Sequence, residues 1–142
     1  MALESILSNE VLSVDYASLA LRVVVGILFL VHGWPKIKNP KMMAGFLGGM
    51  GFKPGIFWSV LLAVTEFFGG IAILLGLYVR AAAIPLVISM SVASYLKIFV
   101  WKSKFASDKD NPSGYEIDLL ALGGLIALFF LGSGSLSVSS LF

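Results

Sequence analysis

Four residues of this chain combine an ionisable side chain with an apolar setting: Arg22, His32, Lys36 and Glu66. Ionisable groups inside a membrane span are costly, face a protein interior and mark candidate functional sites. Glu66 is the sharpest case, because it stands at the centre of the apolar run 55–77. A lone carboxylate at that depth needs a partner. It can serve as a structural ion pair holding two helices in register, as a ligand contact or as a proton relay. Arg22 lies in the run 17–34, and a bidentate Arg22–Glu66 pair is the preferred assignment, against snorkelling of Arg22 to the outer surface. His32 is the only histidine. It can bond a quinone carbonyl, relay a proton, or sit at the interface bonded to water or backbone. One histidine cannot supply both axial ligands of a haem, and there is no cysteine. A bis-His haem within one chain and any Cys-ligated cofactor are therefore excluded, and no metal cluster is expected.

These groups need elements to hold them, and the composition says which kind. Of 142 residues, 58% are hydrophobic and only 13% charged, with a mean hydropathy of +0.97. That balance predicts an integral membrane protein of one domain. A net charge of +2 gives no reason to expect a nucleic-acid partner. Four stretches, 17–34, 55–77, 80–101 and 116–131, approach the ~20 apolar residues that cross a bilayer core. Backbone groups in lipid must be satisfied within the segment, so these are helices. The expected fold is all-α: an integral membrane four-helix bundle over residues 1–142, with a short interfacial or re-entrant segment between helices 1 and 2. That segment contains the uncharged "MMAGFLGGMGF" at 42–52, which can lid a pocket or lie on the membrane surface. The acidic start "MALESILSNEVLSVDYA" has no basic region and does not read as a cleaved signal, so the first span is expected to direct insertion.

The connections and charges extend the expectation. "YV" joins the second and third spans in a tight antiparallel hairpin, and "KSKFASDKDNPSGY" joins the third and fourth through a polar turn region. There Ser113 and Glu116 fit a capping box for the fourth helix. Lys36, Lys38, Lys41, Lys53, Lys97, Lys102, Lys104 and Lys109 gather on one side, against Arg22 and Arg80 on the other. The positive-inside rule puts the lysine-rich loops in the cytoplasm and both termini outside, with Trp34, Trp58 and Trp101 as an aromatic belt on the lysine side. Pro35 is expected to end the first helix, Pro85 to free a carbonyl and kink the third, and Lys97 to snorkel. On helix 1, Arg22, Gly26, Phe29, Gly33 and Lys36 fall within about 80° of one another at 100° per residue. Gly26 and Gly33 suit close packing. Gly69 and Gly70 beside Glu66 suit either a helix crossing or a cleft for a flat ligand, as do Gly123 and Gly124 on the fourth helix. Glu116 and Asp118 suit the first turn of that helix, where its dipole favours acids.

The motifs together resemble one family. "LALRVVVGILFLVHGWPKI", "EFFGGIAILLGLYVRAAAIPLVISM" and "GYEIDLLALGGLIALFFLGSGSLSV" resemble, in order and spacing, the helices of the DoxX family of small four-helix membrane proteins. By position, Arg22, His32, Lys36, Glu66, Gly69, Gly70 and Arg80 occupy the family's motif sites. The chain has "YLKIF" where many members carry a histidine near the end of helix 3. Its tail reads "GSGSLSV" rather than a Gly-Pro-Gly form. The resemblance implies membrane redox processes, one branch being the DoxD-type subunit of thiosulfate:quinone oxidoreductase or quinol oxidase.

The expectation that follows is a quinone-linked oxidoreductase subunit. Glu66 and His32 would be its catalytic groups, Arg22, Lys36, Gly69 and Gly70 would bind the substrate, and a non-covalently bound quinone would occupy the site. No residue of the chain stores electrons, so a partner redox subunit or bound cofactor must supply them; a homo-oligomer is the other assembly expected. The alternative is a non-enzymatic membrane scaffold or assembly module, in which the charged pair and the glycines serve packing. A small-solute transporter is a weaker third reading, since the chain carries no inverted repeat.

Overall fold

The computed structural model describes the backbone of residues 2–110 and 114–141. Helix α1 spans Ala2–Lys38, α2 Pro40–Gly49, α3 Gly55–Leu75, α4 Val79–Tyr95 and α5 Glu116–Leu131. One turn of π-helix, Leu96–Val100, extends α4, and a 3-10 turn, Val138–Leu141, follows α5. There is no strand among the described residues, so the all-α expectation holds. Three segments are long and apolar enough to cross a membrane: Ser13–Lys38, Gly55–Leu75 and Val79–Val100. Helix α5 has 16 residues, about 24 Å at ~1.5 Å per residue, and falls short of the ~30 Å hydrocarbon core.

One sequence expectation about helix ends is corrected. Pro35 does not end the first helix; it lies inside α1, which runs on to Lys38. Proline removes only its own N–H, and the next turn closes regardless, with Asn39 N–H donating to the Pro35 carbonyl at 3.0 Å. Pro85 likewise lies within α4. The proposed cap residue Ser113 lies outside the described residues. Glu116 instead takes the Ser107 N–H on Oε1 at 2.8 Å, pinning the polar loop to the start of α5. The segment after α1 is a helix, α2, with Pro40 in its first turn and no buried residue. It rests on α3, where the Ser59 hydroxyl donates to the Pro40 carbonyl at 2.6 Å. The α3–α4 hairpin turns on Gly76, left-handed at φ 74°, with Leu77 N–H returning to the Ala72 carbonyl at 2.8 Å.

Helices α1 and α3 cross at backbone contact. A Cβ on Gly33 would stand 2.7 Å from the Phe67 nitrogen, one on Gly26 2.8 Å from the Leu74 Cβ, and one on Gly70 3.0 Å from the Leu30 nitrogen. Glycines on both helices therefore fix an antiparallel register that pairs position 33 with 67, 30 with 70 and 26 with 74. A buried core joins this pair to the other two long helices: Phe29 and Val25 from α1, Ile73 from α3, Ala83 and Leu86 from α4, and Leu125 and Leu128 from α5.

The chain after α5 folds back over the middle of α1 and the C-terminal end of α3. Ser18 donates to the Gly132 carbonyl at 2.8 Å. Asp15 accepts from the Ser135 N–H at 2.9 Å and from its hydroxyl. Ser139 donates to the Gly76 carbonyl at 2.8 Å, and Arg22 donates to the Leu136 carbonyl. Arg22 is 1% exposed and is committed to this tail.

Replacing Gly33 by Val is expected to destabilise the protein by about 2 kcal/mol or more through overpacking at the crossing. Gly123→Ala, with open space around it, should change stability by less than about 0.5 kcal/mol; thermal unfolding in detergent measures both. Arg22→Leu removes a charged donor from the Leu136 carbonyl and should release the tail at about 1.5–3 kcal/mol. Hydrogen exchange should then accelerate across residues 133–141 and stay unchanged in α2.

Candidate functional site

On the lysine-rich side a cavity of about 710 Å³ opens between all five helices. Its walls are mostly apolar and aromatic. Leu28 and Phe29 come from α1, Met43, Phe46 and Leu47 from α2, Trp58, Leu61 and Leu62 from α3, Ile88 and Val92 from α4, and Trp101 follows the π-turn. Phe46 and Trp101 meet at a tilt of 49° with centroids 5.4 Å apart, and Phe52 meets Trp58 edge-on at 5.8 Å. The 42–52 segment thus lines the cavity with apolar side chains.

Two ion pairs stand in these walls. Lys36 Nζ donates to Glu66 Oε2 at 2.5 Å, with Glu66 1% exposed. Lys97 Nζ lies 2.7 Å from Asp118 Oδ2, a contact of charges not aligned as a hydrogen bond, and donates to the Gly114 carbonyl at 3.2 Å. The charges cancel within each pair. His32 lines the same cavity one turn before Lys36, its Nδ1 2.8 Å from the Leu28 carbonyl. Ser89 Oγ is buried without a hydrogen-bond partner in the same wall. The site offers ammonium donors, carboxylate and imidazole acceptors, and a broad apolar surface. That set suits an uncharged, flat, amphipathic ligand.

Three of the expected site residues, His32, Lys36 and Glu66, meet here. The Arg22–Glu66 pair is corrected: Arg22 lines a separate groove of about 490 Å³ with Leu19, Leu74 and the tail. The physical reason is the α1–α3 register. It sets Glu66 opposite Trp34 and Lys36, while Arg22 lies about 21 Å further along α1 at ~1.5 Å per residue, level with the Gly76 turn. Gly70 meets α1, and a Cβ on Gly69 would lie 3.1 Å from Leu86; both fill helix crossings and neither lines the cavity. Gly124 has the same use against Val25, while Gly123 faces open space. Lys97 does not snorkel away, because the π-turn carries it to Asp118. That second pair was missed from sequence. Its available signals were an aspartate two residues into an apolar helix and a lysine between Leu96 and Ile98.

Comparison with known proteins agrees with a membrane protein. The DoxX family profile matches residues 17–99. The inner membrane protein YqjF of Escherichia coli is 32% identical over 127 residues, 89% of this chain and 92% of that protein. The Mycobacterium tuberculosis membrane protein Rv3486 is 36% identical over 134 residues, 84% of this chain and 77% of that one. A Bacillus subtilis protein named "Putative oxidoreductase CatD" is 32% identical over 72 residues, about half of each chain, at 51% and 52%. No solved structure matches. With its apolar spanning helices, the profile match over more than half its length and a near-full-length relative in an inner membrane, this chain is a membrane protein and belongs to the DoxX family.

Proposed function

We propose that this chain is the membrane subunit of a quinone-linked redox system, of the DoxD-like thiosulfate:quinone oxidoreductase or quinol oxidase type. The observation that carries this reading is the cavity itself. Its apolar, aromatic walls match the ring and tail of a lipid-soluble quinone, and its charged groups stand in two charge-neutral pairs, with His32 and a few hydroxyls beside them. The oxidoreductase name of the B. subtilis relative agrees with it. In this reading α1, α3, α4 and α5 form a four-helix membrane bundle, with the tail completing the short fourth span and α2 at the interface. The lysine-rich side is cytoplasmic and both termini lie outside.

A bound quinone supplies the two-electron chemistry; the chain's own residues position it and handle protons. Lys36 would donate a hydrogen bond to a ring oxygen, while the Glu66 carboxylate would hold the ammonium in place and could take the proton that a hydroxyl of the reduced ring gives up on oxidation. Lys97 and Asp118 offer the same chemistry elsewhere in the cavity wall. Electrons arrive from or leave to a partner redox subunit. Arg22, assigned to substrate from sequence, serves in this reading to hold the tail.

A second reading, a scaffold or assembly module, draws on the fact that both lysines of the cavity are already paired. The two are separated by the double variant Lys36→Met/Glu66→Leu. Apolar replacement of a buried pair is often neutral or stabilising, so this variant should stay folded and monodisperse. Organic extracts of protein purified in mild detergent, analysed by mass spectrometry, should contain quinone for the wild type and at least about tenfold less for the double variant and for Glu66→Gln. Extracts without quinone from the wild type, with unchanged partner assembly in the double variant, would sink the redox reading.

A further inference from the structure

We propose, resting on the quinone reading above, that His32 makes the cavity selective for the reduced, hydroxyl-bearing form of its ligand, a hydroquinone, over the quinone. The argument starts from the 2.8 Å contact between His32 Nδ1 and the Leu28 carbonyl. A carbonyl oxygen only accepts, so Nδ1 carries the proton in that bond. In the neutral ring this leaves Nε2 as a lone-pair acceptor. No protein group among the described residues donates to it, and His32 lines the cavity. The backbone of α1 therefore sets the tautomer before any ligand arrives.

The consequence is a difference between two redox forms of one molecule. A quinone has carbonyl oxygens and no donor. It can take a hydrogen bond from Lys36, which keeps protons beyond the one given to Glu66, but it meets the His32 lone pair with one of its own. A hydroquinone hydroxyl does both: its oxygen accepts from an ammonium and its proton goes to Nε2. The Glu66 carboxylate adds acceptor capacity one helix away. The oxidised form thus forfeits a bond and leaves a polar atom facing an acceptor, a penalty that corresponds to roughly tenfold in affinity or more.

The full chain in lipid nanodiscs, titrated calorimetrically and without oxygen with decyl-ubiquinol and with decyl-ubiquinone, tests this. The hydroquinone is expected to bind at least about tenfold more tightly, which raises the midpoint potential of the bound two-electron couple by about 30 mV. His32→Leu should weaken hydroquinone binding by about tenfold and leave quinone binding within about twofold, erasing the preference. His32→Gln, whose amide oxygen accepts, should recover hydroquinone binding to within about threefold of wild type. Equal affinities or a preference for the quinone in the wild type would overturn the selectivity and leave the quinone reading standing. A preference that persists in His32→Leu, or a loss of both ligands alike in the two variants, would overturn the role of His32. Binding of neither form to the wild type would overturn the quinone reading and the selectivity with it.

Discussion

The contact on which the rest depends is the backbone-to-backbone crossing of α1 and α3. Gly26, Gly33 and Gly70 remove the side chains that would hold the helices apart, and any Cβ at Gly33 or Gly26 meets the other helix below 3 Å. A crossing this close admits little sliding, because each neighbouring register drives a side chain into backbone. The register in turn decides which polar groups meet. Lys36 reaches Glu66, so a carboxylate almost wholly withdrawn from solvent has a cation at 2.5 Å. Arg22 is carried to the far end of the helix pair and becomes the anchor of the tail.

Polar groups therefore segregate to two ends of one helix pair. At the tail end they are consumed by structure, with Arg22, Asp15, Ser18 and Ser135 tying the residues after α5 to α1. At the lysine-rich end they line a space. The difference is covalent geography: the tail supplies a backbone carbonyl to Arg22 and an amide and a hydroxyl to Asp15, while α2 supplies Met and Phe side chains to the cavity and no polar partner. Buried polar groups without protein partners are the ones left to recognise a ligand.

The π-turn at Leu96–Val100 belongs to the same logic. An extra residue in the turn, closed by Trp101 N–H to the Leu96 carbonyl at 2.9 Å, rotates Lys97 away from lipid and towards Asp118 and Gly114. Such turns recur at functional sites because they re-aim a side chain at small backbone cost. Here it places a second charge-neutral pair in a mostly apolar wall.

The sequence by itself determined that the chain is helical and membrane-embedded. Long uncharged runs leave no other way to satisfy backbone groups in lipid, and their lengths follow from the bilayer. It also singled out Glu66, His32 and Lys36, because charge in an apolar run is conspicuous, and the motifs pointed to the family. What it did not determine was partnership. Aligning the centres of the first two apolar runs brings Arg22 near Glu66, but the true register is offset by about two helical turns, set by glycine contacts between residues far apart in the chain. Lys97 looked like an ordinary interfacial lysine, since its tie to Asp118 depends on a π-turn and a polar loop without a hydrophobic period. The use of Gly69 and Gly70 was equally a tertiary matter: a glycine states that something comes close, and only the packed structure decides whether that is a ligand or another helix.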